Sequence, residues 1–171
     1  MPQRRPVCFY PRFFPMDTLE KPKAIGDAYV ARRRRLPDER RSITHKFEIG
    51  QHQGYITVGL YDDGNPGEIF LKMSKEGSSL SGLVDAFATS ISIGLQYGVP
   101  LKVFVTKFAH TRFEPSGPTQ NPNLPEAKSV VDYVFRWLAI KFLTPEERQA
   151  IAKEDPSIEL ADSGSNISKL L

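Results

Sequence analysis

The spacing of hydrophobic residues along this 171-residue chain changes near its middle. Between residues 42 and 73, apolar and polar residues alternate, which predicts strands over ITHKFEI, YITVGLY and EIFLKM. In the second of these segments the alternation places Ile56, Val58 and Leu60 on one face. The turn at residues 62–65 contains an Asp-Gly pair, which is a strong hairpin signal. The pattern therefore predicts a three-stranded antiparallel meander with one buried face.

A helical spacing follows this predicted sheet. A long helix is predicted to begin at Ser78 or Ser79, since either hydroxyl can cap it, and to end at Gly98. Its predicted apolar stripe consists of Leu80, Leu83, Val84, Phe87, Ile91 and Leu95. Small residues recur every four positions, and we interpret them as a surface for close packing in preference to a ligand surface. They are Gly82, Ala86, Ser90 and Gly94.

Further helices are predicted on both sides of a loop. The segment LKVFVTKFA predicts a short helix, and a longer helix is predicted from about residue 126 to residue 142. Thr144 is a suitable cap for a last helix that begins at Pro145. Residues 112–125 contain four prolines and predict the loop. Together these elements predict an α+β fold in which a three-stranded antiparallel meander packs against two or three helices.

Positive charge is concentrated near the N-terminus. Residues 1–41 hold 11 Lys and Arg against 5 Asp and Glu, whereas residues 42–171 hold 12 against 15. We therefore predict an extended basic arm, rich in proline and arginine, at residues 1–41. The α+β domain is predicted at residues 42–153 and a flexible tail at 154–171. A basic arm on a mildly acidic domain favours an anionic partner.

Several functional classes lack their sequence signals. The single cysteine, Cys8, excludes an intramolecular disulfide, which favours the reducing cytoplasm. No apolar run approaches the roughly 18 residues of a membrane span, so no membrane partner is expected. The three histidines lack the close spacing of metal ligands, and the motifs of serine hydrolases and of nucleotide-binding loops do not occur. We expect no metal, no bound cofactor and no catalytic residue in this chain.

The start of the long predicted helix is the first candidate binding site. A helix N-terminus offers free N–H groups and a partial positive charge to an anion. Gly77 permits close approach, and Lys75 adds a positive charge. The hydroxyls of Ser78 and Ser79 can donate hydrogen bonds. The alternative interpretation is an ordinary capped helix start without a ligand.

The second candidate site is the transition from the short helix to the proline-rich loop. His110, Arg112 and Glu114 place an imidazole, a guanidinium and a carboxylate close together in the sequence. Loops of this kind often carry function. Alternatively, Arg112 and Glu114 pair with each other or hold the loop, and the sequence leaves both interpretations open.

Four consecutive arginines form a candidate docking patch. They are Arg32, Arg33, Arg34 and Arg35. They belong to residues 25–36, which predict a short basic helix that ends before Pro37. Because aromatic residues are not interleaved with the arginines for base stacking, we interpret the run as a protein-docking patch or a solvated helix face in preference to a nucleic-acid site.

Four stretches of the sequence resemble one protein family. They are RRRRLPDERRSITHKFEIG, GYITVGLYDDGNPGEIFLKMSKEGSSLSGLVDAFATSISIGLQYGVPL, KFAHTRFEPSG and AKSVVDYVFRWLAIKFL. These stretches are similar to the C-terminal region, the TSCPD domain, of adenosylcobalamin-dependent (class II) ribonucleoside-diphosphate reductases. The resemblance extends over about residues 25–143 and is far longer than a short motif.

The resemblance implies a role beside a reductase. The large chain of that family carries a thiyl-radical cysteine, a redox cysteine pair and cobalamin-binding elements, and none of these can be placed in this sequence. The cysteine-bearing TSCPD signature is also absent after Phe108, where the chain reads AHTRFEPSG. The resemblance therefore implies a free-standing accessory domain or small subunit, and no catalytic residue is carried over.

The expected partner is the large chain of a class II ribonucleotide reductase, which would be the chain that binds adenosylcobalamin. This chain would support reduction of ribonucleotides to deoxyribonucleotides by docking or regulation. The alternative function is a non-enzymatic module that senses a nucleotide or another phosphate through residues 75–79, His110 and Arg112.

Overall fold

Three antiparallel strands form the main sheet of the computed structural model, which describes residues 32–74, 77–154 and 156. They are β1 (Ser42–Ile49), β2 (His52–Leu60) and β3 (Pro66–Met73). β1 pairs with β2 and β2 pairs with β3, so the strands lie in chain order. The predicted meander is confirmed, with the Asp-Gly turn between β2 and β3.

Four helices and a small second sheet complete the described part of the chain. The helices are α1 (Ser78–Gln96), α2 (Leu101–Phe108), α3 (Val130–Phe142) and α4 (Pro145–Glu154). Between α2 and α3, β4 (Gly117–Pro118) pairs antiparallel with β5 (Glu126–Ala127). The predicted α+β class is confirmed. None of the described helices is long and apolar enough to cross a membrane.

One face of the main sheet is buried because the strand alternation keeps its apolar residues on one side. As predicted, Ile56 and Val58 are fully buried, and Leu60 packs against the core. The ring of Phe47 occupies the space beside Gly54, since a Cβ atom there would lie 2.5 Å from Cζ of Phe47. The ring of Phe47 therefore closes over β2, and α3 packs against it through Tyr133, at 5.1 Å between ring centroids.

Helix α1 runs along β3 and satisfies backbone groups of that edge strand. The Ile69 N–H donates to Oγ of Ser92 at 2.9 Å, and Nε2 of Gln96 donates to the Gly67 carbonyl at 3.1 Å. Both side chains are buried. An uncovered edge strand exposes such groups to pairing with another chain, so these two polar residues protect the edge of the sheet.

The predicted apolar stripe of α1 is wrong at Leu83. This side chain is 67 % exposed, because it lies about a third of a turn away from the line through Ala88 and Leu95 that faces the sheet. The stripe is confirmed at four of the other predicted positions, which are buried or partly buried: Val84, Phe87, Ile91 and Leu95. The side chain of Leu80 lies outside the described part of the structure.

The predicted start of α1 is wrong in its capping residue, whereas its predicted end is correct. The expectation that Ser78 or Ser79 caps the helix is wrong, since Gly77 is the N-cap residue and both serines lie in the first turn. The predicted end at Gly98 is confirmed. Gly98 has φ +85° and donates its N–H to the Leu95 carbonyl at 3.0 Å. A left-handed residue of this kind is favoured as glycine after a helix.

The small residues of α1 do not form a packing surface within this domain. Gly82, Ala86 and Ser90 are exposed, so that interpretation is wrong for these three positions. Gly94 does pack closely, because a Cβ atom added there would lie 2.7 Å from Cζ of Phe104 in α2.

Alanine substitutions at two glycines of α1 are expected to act in opposite directions. Gly82→Ala should raise the free energy of unfolding by about 0.5–1 kcal/mol, since alanine is the better helix former and nothing lies within 4 Å of the new Cβ atom. Gly94→Ala should show no such gain, because the ring of Phe104 must shift. Urea unfolding of both variants measures the difference, and an equal gain at the two sites would contradict this packing.

Two predicted helix boundaries are wrong. Residues 32–36 are not helical, because the Arg34 N–H donates to the carbonyl of Gln96 at 2.8 Å and so extends past the end of α1. The remainder of that predicted helix, residues 25–31, lies outside the described residues. Helix α3 begins at Val130 instead of near residue 126, because the preceding Ser129 caps it and residues 126–127 form β5.

Candidate functional site

The loop that follows α2 is tied to the start of α3 by its backbone. His110 has φ +77° and donates its N–H to Oδ1 of Asp132 at 2.7 Å. Oγ of Ser129 donates to the Thr111 carbonyl at 2.6 Å, and the Phe113 N–H donates to the Lys128 carbonyl at 3.2 Å. Three positions of the loop are therefore fixed against one short segment of the chain.

The carboxylate of Asp132 is the centre of this attachment. Its side chain is completely buried. Besides the His110 N–H, it accepts a hydrogen bond from the Lys128 N–H at 2.9 Å and from Nη1 of Arg136 at 3.4 Å. Oγ of Ser129 in turn accepts from the Asp132 N–H at 3.0 Å and caps α3. A buried carboxylate with several donors orders the groups around it.

Of the three predicted site residues in this loop, His110 and Glu114 hold the loop itself. Nδ1 of His110 lies 2.7 Å from Nζ of Lys128, and since an ammonium group only donates, Nδ1 is the acceptor. Glu114 accepts from the N–H and the hydroxyl of Ser116 at 3.0 and 2.9 Å. The Ser116 N–H, followed by its hydroxyl, lowers the pKa of the Glu114 carboxyl.

Arg112 and its neighbour Phe113 point outwards from this fixed backbone. Arg112 is exposed, and Phe113 is 46 % exposed. The sequence reasoning named Arg112 but missed Phe113, whose exposure follows from the attachment of the residues on both sides. The loop therefore exposes a cation and an aromatic ring at consecutive positions.

The other predicted anion site, at residues 75–79, includes Gly77, the N-cap residue of α1. Lys75 and the side chains of Ser78 and Ser79 lie outside the described part of the structure. The Ser74 N–H donates to the Gln53 carbonyl at 2.8 Å, beside the hairpin that joins β1 and β2. Anion binding by residues 75–79 stays a prediction.

The loop after α2 is attached to the hairpin between β1 and β2. Gly50, in the hairpin between β1 and β2, donates its N–H to the Pro118 carbonyl of the loop at 2.9 Å. Thr119 forms a β-bridge with Ile49 next to it. The hairpin thus contacts the loop after α2, and Gln53 beside it contacts Ser74, which precedes α1. Sequence spacing does not show these contacts.

His45, a half-buried residue on the inward face of β1, was not identified from the sequence. Nε2 of His45 lies 2.8 Å from the hydroxyl of Tyr133, which also accepts a hydrogen bond from Nδ2 of Asn121 at 3.0 Å. The imidazole stacks on the indole of Trp137 with ring centroids 4.8 Å apart. Burial, and then the charge of Lys141, lower the pKa of His45. The alternation of β1 places His45 on the inward face of the strand, and this was the sequence signal that could have identified it.

We expect His45 to make the folded protein less stable in mild acid. Since its pKa is lowered in the fold, its stabilising effect is complete above the unfolded-state pKa of about 6.5 and is lost as the pH falls through the folded-state pKa. Urea unfolding at about pH 7 and about pH 5 should show this loss in the wild type. The loss should be smaller in His45→Gln, where the amide oxygen accepts from Tyr133 without titrating. His52→Gln is the matched control, and an unchanged loss in His45→Gln would refute the assignment.

Two of the four predicted docking arginines contact the domain itself. Nε of Arg33 donates to Oε1 of Gln96 at 2.8 Å. The guanidinium of Arg34 lies 4.0 Å from the ring centroid of Tyr61 and 3.2 Å from Oδ2 of Asp63. Arg32 and Arg34 also line a groove of about 380 Å³ at the C-terminal end of α1. Docking by these arginines stays a prediction.

Comparison with curated proteins found relatives with one shared name. The chain is 60 % identical over 116 residues to the vitamin B12-dependent ribonucleotide reductase of Rhodopirellula baltica. The aligned region is 68 % of this chain and 11 % of that protein. The chain is 52 % identical over 119 residues to the protein of that name from Streptantibioticus cattleyicolor, 70 % of this chain and 20 % of the other. For Bradyrhizobium diazoefficiens, the identity is 46 % over 126 residues, 73 % of this chain and 10 % of the relative.

The match is confined to one region of these relatives, since the chain spans between a tenth and a fifth of their length. No solved structure matches the chain. A family model described as the TSCPD domain matches residues 27–142, more than half of the chain, and confirms the resemblance drawn from the sequence. This chain belongs to the TSCPD domain family.

Proposed function

We propose that this chain provides the TSCPD domain of a vitamin B12-dependent ribonucleotide reductase and supports ribonucleotide reduction by docking against the body of that enzyme. The relatives that bear this name share 46–60 % identity with the chain over the domain. At such identity the fold is shared, and we look for the role of this domain on its surface. In this proposal, adenosylcobalamin and the catalytic groups belong to the partner.

The observation that carries the proposal is the presentation of Arg112 and Phe113 by a fixed loop. Arginine and aromatic side chains contribute most to binding energy at protein interfaces. The backbone on either side is held by Asp132, Ser129 and the Lys128 carbonyl. Because the loop is already ordered, little conformational entropy is lost when a partner binds.

The remaining polar groups of the loop support docking more than catalysis. Nδ1 of His110 is engaged by Lys128, and the carboxylate of Glu114 is engaged by Ser116. These contacts shape the loop and orient Arg112 and Phe113. We therefore assign Arg112 and Phe113 to the contact with the reductase, and His110 and Glu114 to positioning it.

The test is binding of the full chain to a purified B12-dependent ribonucleotide reductase from which the TSCPD region has been removed. Wild-type protein should bind and change the reductase rate. The variant R112E/F113A should bind at least about tenfold more weakly, as expected for loss of two central interface residues. The matched control is K102E/V103A, which makes the same kinds of change at exposed positions of α2.

The two variants separate docking from general effects of charge. If K102E/V103A weakens binding as much as R112E/F113A does, the loop is not the contact. If the wild-type chain neither binds the reductase nor changes its rate, the proposed function is wrong.

A further inference from the structure

The outward face of the main sheet carries two exposed aromatic rings and two exposed lysines. Tyr55 is 41 % exposed and Phe70 is 54 % exposed. Tyr55 of β2 lies directly opposite Lys46 of β1 and Lys72 of β3. Both lysines are exposed. The strand register therefore places one tyrosine in the middle of a row with a cation on each side.

The second ring adjoins this row. Phe70 precedes Lys72 by two residues in β3, so it lies on the same face, diagonal to Tyr55 at roughly 7–8 Å between Cα atoms. Its direct neighbour in β2 is Thr57, whose hydroxyl is 3.0 Å from that of Thr44 in β1. Tyr55 and Phe70 therefore occupy diagonal positions on one face of the sheet, with two threonines next to Phe70.

The acidic residues of this face are engaged by other groups. Glu68 forms an ion pair with Arg40, and its side chain covers Gly59. Glu48 accepts hydrogen bonds from Nε2 of Gln53 at 3.3 Å and from Nε2 of Gln120 at 3.4 Å. Arg40 therefore balances the charge of Glu68, whereas Glu48 keeps its negative charge beside the hairpin between β1 and β2. In the middle of the face, Lys46 and Lys72 place two positive charges beside Tyr55.

We infer that the outward face binds single-stranded nucleic acid, with bases stacked on Tyr55 and Phe70 and phosphates near Lys46 and Lys72. Every nucleotide combines a flat ring with a negative charge, and aromatic rings flanked by cations recognise that combination without regard to sequence. A protein partner fits less well, because lysine is depleted in the centres of protein interfaces. This inference uses residues separate from Arg112 and Phe113, which we assigned to docking, and it does not depend on the proposed function.

The pairing of strands creates an arrangement that the sequence does not display. Sequence reasoning disfavoured nucleic acid because aromatic residues are not interleaved with the arginines of the N-terminal segment. Lys46, Tyr55 and Lys72 lie far apart in the chain and become neighbours only in the register of the sheet. The interleaving of cations and aromatic rings therefore occurs across strands.

The test is fluorescence anisotropy of a labelled oligonucleotide of about twelve thymidines with the full chain at about 50 mM salt. Wild-type protein should bind it, and a duplex of equal length should bind at least about tenfold more weakly because its bases are not free to stack. Y55I/F70I, which removes the rings but introduces β-branched side chains that favour a strand, should weaken binding at least about tenfold. Y55F/F70Y should bind as the wild type does.

The lysines are tested by salt dependence. K46Q/K72Q should reduce the slope of log Kd against log salt by about 0.7 for each lysine. K102Q/K107Q removes two exposed lysines from α2 and should leave the slope unchanged. All variants keep residues 1–41, so any contribution of the basic arm is common to them.

Several results would overturn the inference. They are no binding of the oligonucleotide by the wild type, equal affinity for duplex and single strand, and a reduction of the salt slope in K102Q/K107Q as large as that in K46Q/K72Q. Competition by thymidine monophosphate at the same concentration as the oligonucleotide would show a site for one nucleotide instead. If Y55I/F70I keeps its affinity for the oligonucleotide but loses binding to the reductase, the face is a protein interface.

Discussion

Replacement of Asp132 by alanine is expected to lower the free energy of unfolding by about 3–5 kcal/mol, since it breaks a buried ion pair on one side only. The carboxylate is completely buried and accepts from two backbone N–H groups and from Arg136. Arg136 is itself only 7 % exposed, so alanine leaves a buried cation and two half-buried N–H groups without this acceptor. The loop that carries Arg112 and Phe113 should loosen at the same time.

Asparagine at this position gives a sharper test of the same contacts. Its side chain has the shape of aspartate, but its NH₂ group must face a donor, because the groups around the carboxylate all donate. Asp132→Asn should therefore destabilise the fold almost as much as Asp132→Ala. The double variant D132A/R136M should lose less than the sum of the two single variants, since no buried cation remains.

The measurements are urea unfolding and amide hydrogen exchange. Exchange at His110 and Lys128, the two N–H groups bound by the carboxylate, should accelerate in Asp132→Ala. Asp85→Ala, at an exposed position of α1, is the control and should change the free energy of unfolding by less than about 0.5 kcal/mol. A loss in Asp132→Ala no larger than that of the control would contradict the role given to this carboxylate.

The strands could be predicted from the sequence because their signals are local. Alternation over a few residues gives the inward positions of Ile56 and Val58, and the Asp-Gly turn fixes the hairpin. Gly98 marks the end of α1 for a similar reason, since the left-handed residue and the helix end are adjacent in the chain. These features need no knowledge of what packs against them.

The parts that could not be predicted depend on contacts between distant residues. In the sequence, Ser92 and Gln96 are polar positions beside an apolar stripe. Only the position of α1 against β3 shows that they form hydrogen bonds with backbone groups of that edge strand. Leu83 reads as apolar and therefore buried, yet no residue near it in sequence indicates which side of the helix meets β3. Periodicity gives a helix face, but tertiary packing selects its direction.

The same limit applies to the candidate sites. His110, Arg112 and Glu114 are noticeable as a group in the sequence, but their division into two positioning residues and one exposed residue depends on Asp132, about twenty positions later. Aspartate inside a helix that is apolar on most sides was the available clue, since a buried charge needs partners. The sequence alone does not say which partners.

The second large effect concerns the aromatic cluster that joins three helices. Phe135 of α3 is completely buried, with its ring centroid 5.1 Å from that of Phe108 in α2 and 6.1 Å from that of Phe87 in α1. The rings of Phe87 and Phe108 also meet each other, edge to face, at 5.3 Å. Since α1 covers the sheet edge and α2 leads into the loop that carries Arg112 and Phe113, this cluster fixes that loop relative to the sheet.

Phe135→Ala is expected to lower the free energy of unfolding by about 3–5 kcal/mol, because the removed ring leaves a cavity that three helices cannot close together. Phe135→Leu retains most of the volume and should lose less than about 1.5 kcal/mol. Urea unfolding compares both with Leu83→Ala, an exposed apolar truncation in α1 that should change stability by less than about 0.5 kcal/mol. Two results would contradict the role of this cluster in joining the helices. One is a loss of unfolding free energy in Phe135→Ala no larger than that in Leu83→Ala. The other is faster amide hydrogen exchange in α3 of Phe135→Ala without any change in α1 and α2.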